Sequence, residues 1–210
     1  METKDAVLRG AKYESFWGRK PDSILHPDNK NDPHVDIFRF PPLKSAGFFK
    51  KLIKPVCSQF VYITGGMSDR EMPVPKKHEY NMTPKKIELS AYSNKLYLEN
   101  DTDIIASSLY FLSQIPFKEK MFLSVGYTVS LGKPIAKNTD LSAFFFGVIP
   151  SVNLNEICKA SVNAEVILQV VPISEGELNY AKKEGSEKFL DYLEQNNIEP
   201  VFDLERKPKI

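Results

Sequence analysis

Ala164-Glu165-Val166-Ile167-Leu168-Gln169-Val170-Val171-Pro172-Ile173-Ser174-Glu175-Gly176-Glu177-Leu178 passes from a β-rich run straight into a helix start. The run Ala164 to Val171 is apolar on both faces, the mark of a strand in the middle of a sheet. Ser174-Glu175-Gly176-Glu177 fits a capping box, in which the Ser174 hydroxyl and the Glu177 carboxylate each satisfy a free amide. Leu178 and Ala181 then face the core, and Gly185 suits a left-handed residue just past the helix end. A second helix follows from Ser186, with Phe189, Leu190 and Leu193 at helical spacing, and stops at Asn196-Asn197. A short extended piece, Val201-Phe202-Asp203, precedes a charged tail.

Working upstream, Leu141 to Ile149 is a second strand apolar on both faces, and Met121 to Leu131 is a third β-rich run. Asp101 to Ile115 changes period: Ile105, Leu109 and Leu112 share a helical face, Asp101 or Asp103 caps the start, and Pro116 is expected to end the helix. Ile87, Leu89 and Ala91 alternate with Glu88, Ser90 and Tyr92, which predicts a strand with one wet face. Met67 to Pro84, with three prolines, predicts a long irregular loop on one edge. Val35 to Phe40, closed by Pro41-Pro42, and Phe60 to Thr64, closed by Gly65-Gly66, are further strands. Residues Lys4 to Phe16 form a short opening helix, and Pro21 to Pro33 a surface connection. Strands and helices mix without regular βαβ alternation, so the expected fold is α+β: one mixed, largely antiparallel sheet flanked by helices. No repeat and no Gly/Ser-rich linker divides the chain, and 1–210 is expected to be a single domain.

Composition narrows the function. Lys plus Arg number 28 against 27 Asp plus Glu, a formal charge of +1, so no long-range field draws in nucleic acid or an acidic membrane. Hydrophobic residues make up 42% and charged residues 26%, ordinary for a chain that folds by itself. No apolar stretch approaches the ~18 residues of a membrane span, and no signal-peptide pattern opens the chain. A cytoplasmic location is the expectation. Cys57 and Cys158 sit beside apolar residues, which suits reduced thiols, with a single disulfide left open.

Three constellations bear on chemistry. His34 and Asp36, two apart on a strand, project from one face and can converge on one metal ion or water. A metal-dependent hydrolase built on them needs a further ligand from a loop histidine, His26 or His78. The alternative is that Asp36 hydrogen-bonds backbone amides or His34 at the strand entrance, and no metal or cofactor is expected. Thr64-Gly65-Gly66-Met67-Ser68-Asp69 lacks the Lys and the helix of a P-loop; its glycines instead turn the chain so that Met67 and Met72 pack or meet a partner. No Gly-x-Ser-x-Gly elbow occurs, and capping explains Glu177, so catalysis has no recognisable centre.

Taken in order, several of these segments resemble the suppressor-of-fused (SUFU-like) domain family. They are His34-Val35-Asp36-Ile37 with Phe40-Pro41-Pro42, Thr64 to Ser68 with Met72, Glu88-Leu89 with Tyr92, and Gly126-Tyr127-Thr128. Pro172 to Ala181, Asp203 and Arg206-Lys207-Pro208 complete the set. The chain departs from the family at Ile104-Ile105 and Tyr127-Thr128, where members often carry Trp and a His-Thr pair. The resemblance implies a compact mixed α/β domain without catalytic activity that binds another protein. Compact bacterial members are thought to be immunity proteins beside toxins, whereas animal members clamp a transcription factor. The absence of the animal protein's additional C-terminal domain favours the bacterial type. The expected role is therefore a cytoplasmic immunity protein that binds a toxin domain, with a regulatory scaffold for an endogenous protein as the alternative. The motif residues His34, Asp36, Thr64, Gly66, Met67, Ser68, Met72 and Arg206 are candidates for the partner-binding set.

Overall fold

A computed structural model describes residues 4–27, 32–42, 58–76, 84–147 and 164–210. Helix α1 covers Lys4–Trp17, and strands β1, Ser23–Leu25, β2, Asp36–Phe40, and β3, Phe60–Gly65, follow it. A single 3₁₀ turn, Met67–Asp69, leads towards β4, Ile87–Ser93. The small strands β5, Leu98–Glu99, and β6, Thr102–Asp103, precede helix α2, Ile104–Lys118. Then come β7, Thr128–Ser130, β8, Leu141–Gly147, and β9, Val166–Ser174, which runs into α3, Glu175–Glu184, and α4, Ser186–Gln195.

Seven strands form one sheet in the order β1-β2-β3-β4-β9-β8-β7. Only the central β4–β9 pair is parallel, with Leu89 opposite Leu168; the other neighbours run antiparallel. This is the mixed, mostly antiparallel α+β architecture that the alternation of apolar runs and helix starts predicts. The parallel pair has a topological cause. The chain leaves β4, passes through α2, β7 and β8, and returns beside it, a crossover too long for a hairpin.

Helices cover both faces. On one, α2 lays Ile105, Leu109 and Leu112 against Ile37, Tyr62, Leu89, Leu168, Val170 and Phe144. On the other, α1 packs Tyr13 against Phe38, Phe40, Val61 and Ile63, while α3 and α4 bury Leu178, Phe189 and Leu193 against Ala143, Phe145 and Ile173. The helices thus follow the 3.6-residue period and the strands the two-residue period of their apolar side chains.

Five expectations need correction, the first being that Pro21 to Pro33 is only a connection, since Ser23–Leu25 within it is β1 and pairs with β2. Strand β4 has no wet face: all its residues are buried, including Glu88 and Ser90, because α1 and the Met67 turn lie over the polar side of the alternation. Trp17 of α1 meets Tyr92 edge-on at 6.2 Å. Pro116 lies inside α2, whose last turn reaches Lys118 and is closed by the Glu119 amide on the Ile115 carbonyl. Proline removes one donor there, two residues from an end where little of the ladder remains to lose. Of Met121 to Leu131 only Thr128–Ser130 is strand, because Lys120 and Gly126 take positive φ and bend the chain. The stretch after Gly66 is not merely an edge loop: Met67 and Met72 are buried, and the Met72 amide bonds the Lys85 carbonyl.

The capping box forms as read, with the Glu177 amide on the Ser174 hydroxyl and the Ser174 amide on the Glu177 carboxylate. Asp103, not Asp101, caps α2 through the amides of Ile105 and Ala106. Gly185 has φ 90° and ψ 164°, so it joins α3 to α4 with a positive φ outside the left-handed helical region. Val201-Phe202-Asp203 is not a regular strand, yet the Phe202 amide bonds the Tyr92 carbonyl at the end of β4. His78, Cys57, Cys158 and the last residues of the expected strand ending at Ile149 lie outside the described residues.

Candidate functional site

The Thr-Gly-Gly-Met-Ser turn is wrapped around one buried carboxylate. Glu88 accepts from the Gly66 and Ser68 amides at 3.1 Å each and from the hydroxyls of Ser68 and Thr64 at 2.6 Å. The Thr64 hydroxyl oxygen in turn accepts the Leu89 amide at 2.7 Å. Burial pushes the Glu88 carboxyl above its ordinary range, and the four donors offset only part of that shift. Gly66 has φ 113°, and a Cβ there would lie 2.3 Å from the His34 carbonyl oxygen, so the turn requires glycine on two counts. Thr64, Gly66 and Ser68 are thus engaged in holding the turn, and Met67 and Met72 belong to the core.

Arg206 does similar work at the other end of the chain. Its guanidinium bonds both carboxylate oxygens of Glu177, at 2.7 and 2.6 Å, and the Pro172 carbonyl at 2.8 Å. Glu177 is fully buried, so the same carboxylate caps α3 and anchors the tail.

Asp36 is also fully buried. Its Oδ1 lies 2.8 Å from His26 Nδ1 and 2.9 Å from His34 Nε2. The sequence pairing of His34 with Asp36 is therefore real, and the histidine that joins them is His26. Sheet register explains why: Leu25 of β1 faces Ile37 of β2, so the next residue of β1 falls opposite Asp36.

An apolar surface that the sequence motifs do not mark lies at the opposite edge of the sheet. A groove of about 500 Å³ runs between α2 and β7, lined by Tyr110, Phe111, Ile115, Met121 and Val129 among others. Phe111 is 51% and Met121 50% exposed. Among the described residues β7 pairs only with β8. The Tyr127 carbonyl and the Leu131 amide bond β8, so strand alternation turns the backbone groups of Thr128 and Ser130 outward. A groove of aromatic and aliphatic side chains beside a strand edge that no described residue pairs can take an extended peptide segment, with backbone bonds for affinity and apolar contacts for selectivity. The one sequence signal for it was Phe111 itself, an aromatic residue off the Ile105, Leu109, Leu112 face.

Residues 31–207 match the family model described as suppressor of fused protein (SUFU). The chain belongs to the SUFU family. A relative within the curated proteins is immunity protein YqcF of Bacillus subtilis (strain 168), 28% identical, with 97% of this chain and 96% of that protein aligned. Among solved structures, a putative SUFU homologue from Neisseria gonorrhoeae FA 1090 superposes with a TM-score of 0.66 at 15% identity, over 97% of this chain and 96% of its own. A chain of the Sufu–Fu complex gives 0.60 at 14% identity, over 96% and 89% respectively. Drosophila Suppressor of Fused gives 0.57 at 13% identity, and this chain spans 49% of it. At these identities the structures show a shared SUFU fold. Together with the immunity-protein relative they support a protein-binding role. Among the described residues no helix is long and apolar enough to cross a membrane.

Proposed function

We propose that this SUFU-family chain is a non-catalytic immunity protein that binds a bacterial toxin inside the cell and blocks it sterically. Residues 1–210 act as one binding unit in this reading. The observation that carries it is the edge of β7, unpaired among the described residues, beside the groove of exposed Phe111 and Met121. The occupant is an extended segment of the toxin domain, which adds a strand at Thr128–Ser130 and seats an apolar side chain between α2 and β7. Around that anchor a standard interface of roughly 1,200–2,000 Å² covers enough of the toxin to exclude its substrate. Two relatives support a protein partner: one is named an immunity protein, and one solved structure is a complex of Sufu with Fu. The motif residues Gly66, Ser68 and Arg206 contribute by holding the scaffold rigid.

The test uses growth as its readout. Cells expressing a toxin domain captured with this chain from its host are scored with the wild-type chain, with Phe111→Glu and with no immunity gene. Protection by the wild type and its loss with folded Phe111→Glu are expected. Death in the presence of the wild-type chain would remove the toxin-neutralising role, and full protection by Phe111→Glu would remove the groove.

A further inference from the structure

We infer that His26, His34 and Asp36 form a binding site for a divalent transition-metal cation of borderline softness, such as Zn²⁺. The ligand atoms, one from each residue, lie within 4.8 Å of one another. They are placed by backbone pairing rather than by side-chain reach. His26 follows β1 directly opposite Asp36 in the β1–β2 register, and His34 precedes β2 two residues before Asp36, on the same side.

A plain hydrogen-bonded cluster leaves part of this geometry unexplained. Asp36 Oδ1 takes both imidazoles, while Oδ2, equally buried, has no hydrogen-bond partner among the described residues. His34 Nδ1 is buried and unpartnered as well, but an ion held by Nε2 leaves it so, and the orphan that speaks for an ion is Oδ2. Buried polar atoms without partners are rare in folded proteins, and an unseen ion is one of the few physical reasons for them. Two imidazole nitrogens and one carboxylate are a donor set that favours Zn²⁺ and its neighbours over Mg²⁺ or Ca²⁺, which prefer all-oxygen sites.

The spacing needs little adjustment. Ligands at tetrahedral bond lengths stand about 3.3 Å apart, and the nitrogens now stand 2.8 and 2.9 Å from the carboxylate oxygen. To bind the ion, each imidazole turns from donor to Lewis base by moving its proton to the other ring nitrogen. His26, whose side chain is 36% exposed, faces solvent and leaves room for water in a remaining position. The missing acceptor at His34 Nδ1 limits affinity, because an oriented outer partner normally strengthens a histidine ligand. Micromolar binding is expected. The site sits at the β1 end of the sheet, with the groove at the β7 end, so it stands independently of the toxin reading.

The experiment adds Zn²⁺, with Mg²⁺ as control, to the full chain stripped with a chelator, and follows calorimetric stoichiometry and melting temperature. The variants are His26→Ala, His34→Ala and the double substitution Cys57→Ser/Cys158→Ser. One Zn²⁺ per chain with a raised melting temperature, kept in the cysteine variant and weakened at least tenfold by His26→Ala, is expected. His26 lies just past the strand and half in solvent, so its variant should stay folded even where His34→Ala does not. No Zn²⁺ binding by the wild type would overturn the inference. So would binding that survives His26→Ala, or that disappears with the cysteines.

Discussion

Glu88 shows how one side chain is set by everything around it. Four donors converge on its carboxylate, yet full burial still raises its pKa. In the folded state it therefore holds its proton to higher pH than in the unfolded chain. As pH rises from the ordinary carboxylate value through the raised folded one, the unfolded state binds fewer protons than the native state, so stability falls. Glu88→Gln keeps an acceptor for the Gly66 and Ser68 amides and remains neutral. Urea denaturation across that pH window should show the wild type losing stability and Glu88→Gln staying level. Glu88→Ala strands the donors of the turn and should cost on the order of 3–5 kcal/mol at any pH. Arg206 makes the complementary case. Its removal leaves the Glu177 carboxylate buried without its cation, and Arg206→Ala should destabilise by about 3–5 kcal/mol in the same assay. Arg206→Lys should recover only part of that loss, because an ammonium cannot reproduce the two-pronged contact with Glu177. The Ser174-to-Glu177 cap was legible in the sequence because its parts are four residues long and local. Glu88's partners Thr64, Gly66 and Ser68 were legible only as a motif, since what they bind lies on another strand.

At the level of elements, β7 is a three-residue edge strand that among the described residues pairs only with β8. Thr128 points its backbone away from β8, so proline there removes an outward donor and none of the inward ladder. Thr128→Pro should keep a melting temperature within a few degrees of the wild type and lose protection in the toxin growth assay. Unimpaired protection would show that no strand is added at this edge. Val129 is unsuitable for the same substitution, since alternation turns its amide towards β8, and so is Tyr127, whose amide bonds the Ser124 carbonyl. The expected strand over Met121 to Leu131 overreached because propensity registers Phe122, Leu123 and Val125 as β-formers. The positive φ at Lys120 and Gly126 instead bends that segment, of which only Met121 and Thr128–Ser130 line the groove. Gly126 also lets the Ser186 side chain approach, where a Cβ would come within 2.6 Å.

For the whole molecule, the three-layer arrangement makes the centre of the sheet the slowest part to open. Strands β4 and β9 are buried on both faces and have neighbours on both sides, whereas β1 and β7 close the sheet at its edges. Native-state hydrogen exchange should find the greatest protection in Leu89 to Ala91 and Leu168 to Val170, and the least among sheet residues in β1 and β7. Equal protection across the sheet would mean that it opens only as a unit. Local sequence by itself determined the helix start at Ser174, the helix stop at Asn196-Asn197 and the strands β2, β3, β8 and β9, because periodicity, caps and breakers act within a few residues. It also excluded a strong electrostatic attraction to nucleic acid, since opposite charges nearly cancel. Only the tertiary structure decided that the polar side of β4 is dry, that His26 joins His34 and Asp36, and that Phe111 lines a groove beside β7. Each of those depends on which distant segment comes to rest against a residue, and burial, charge and pairing are properties of that meeting.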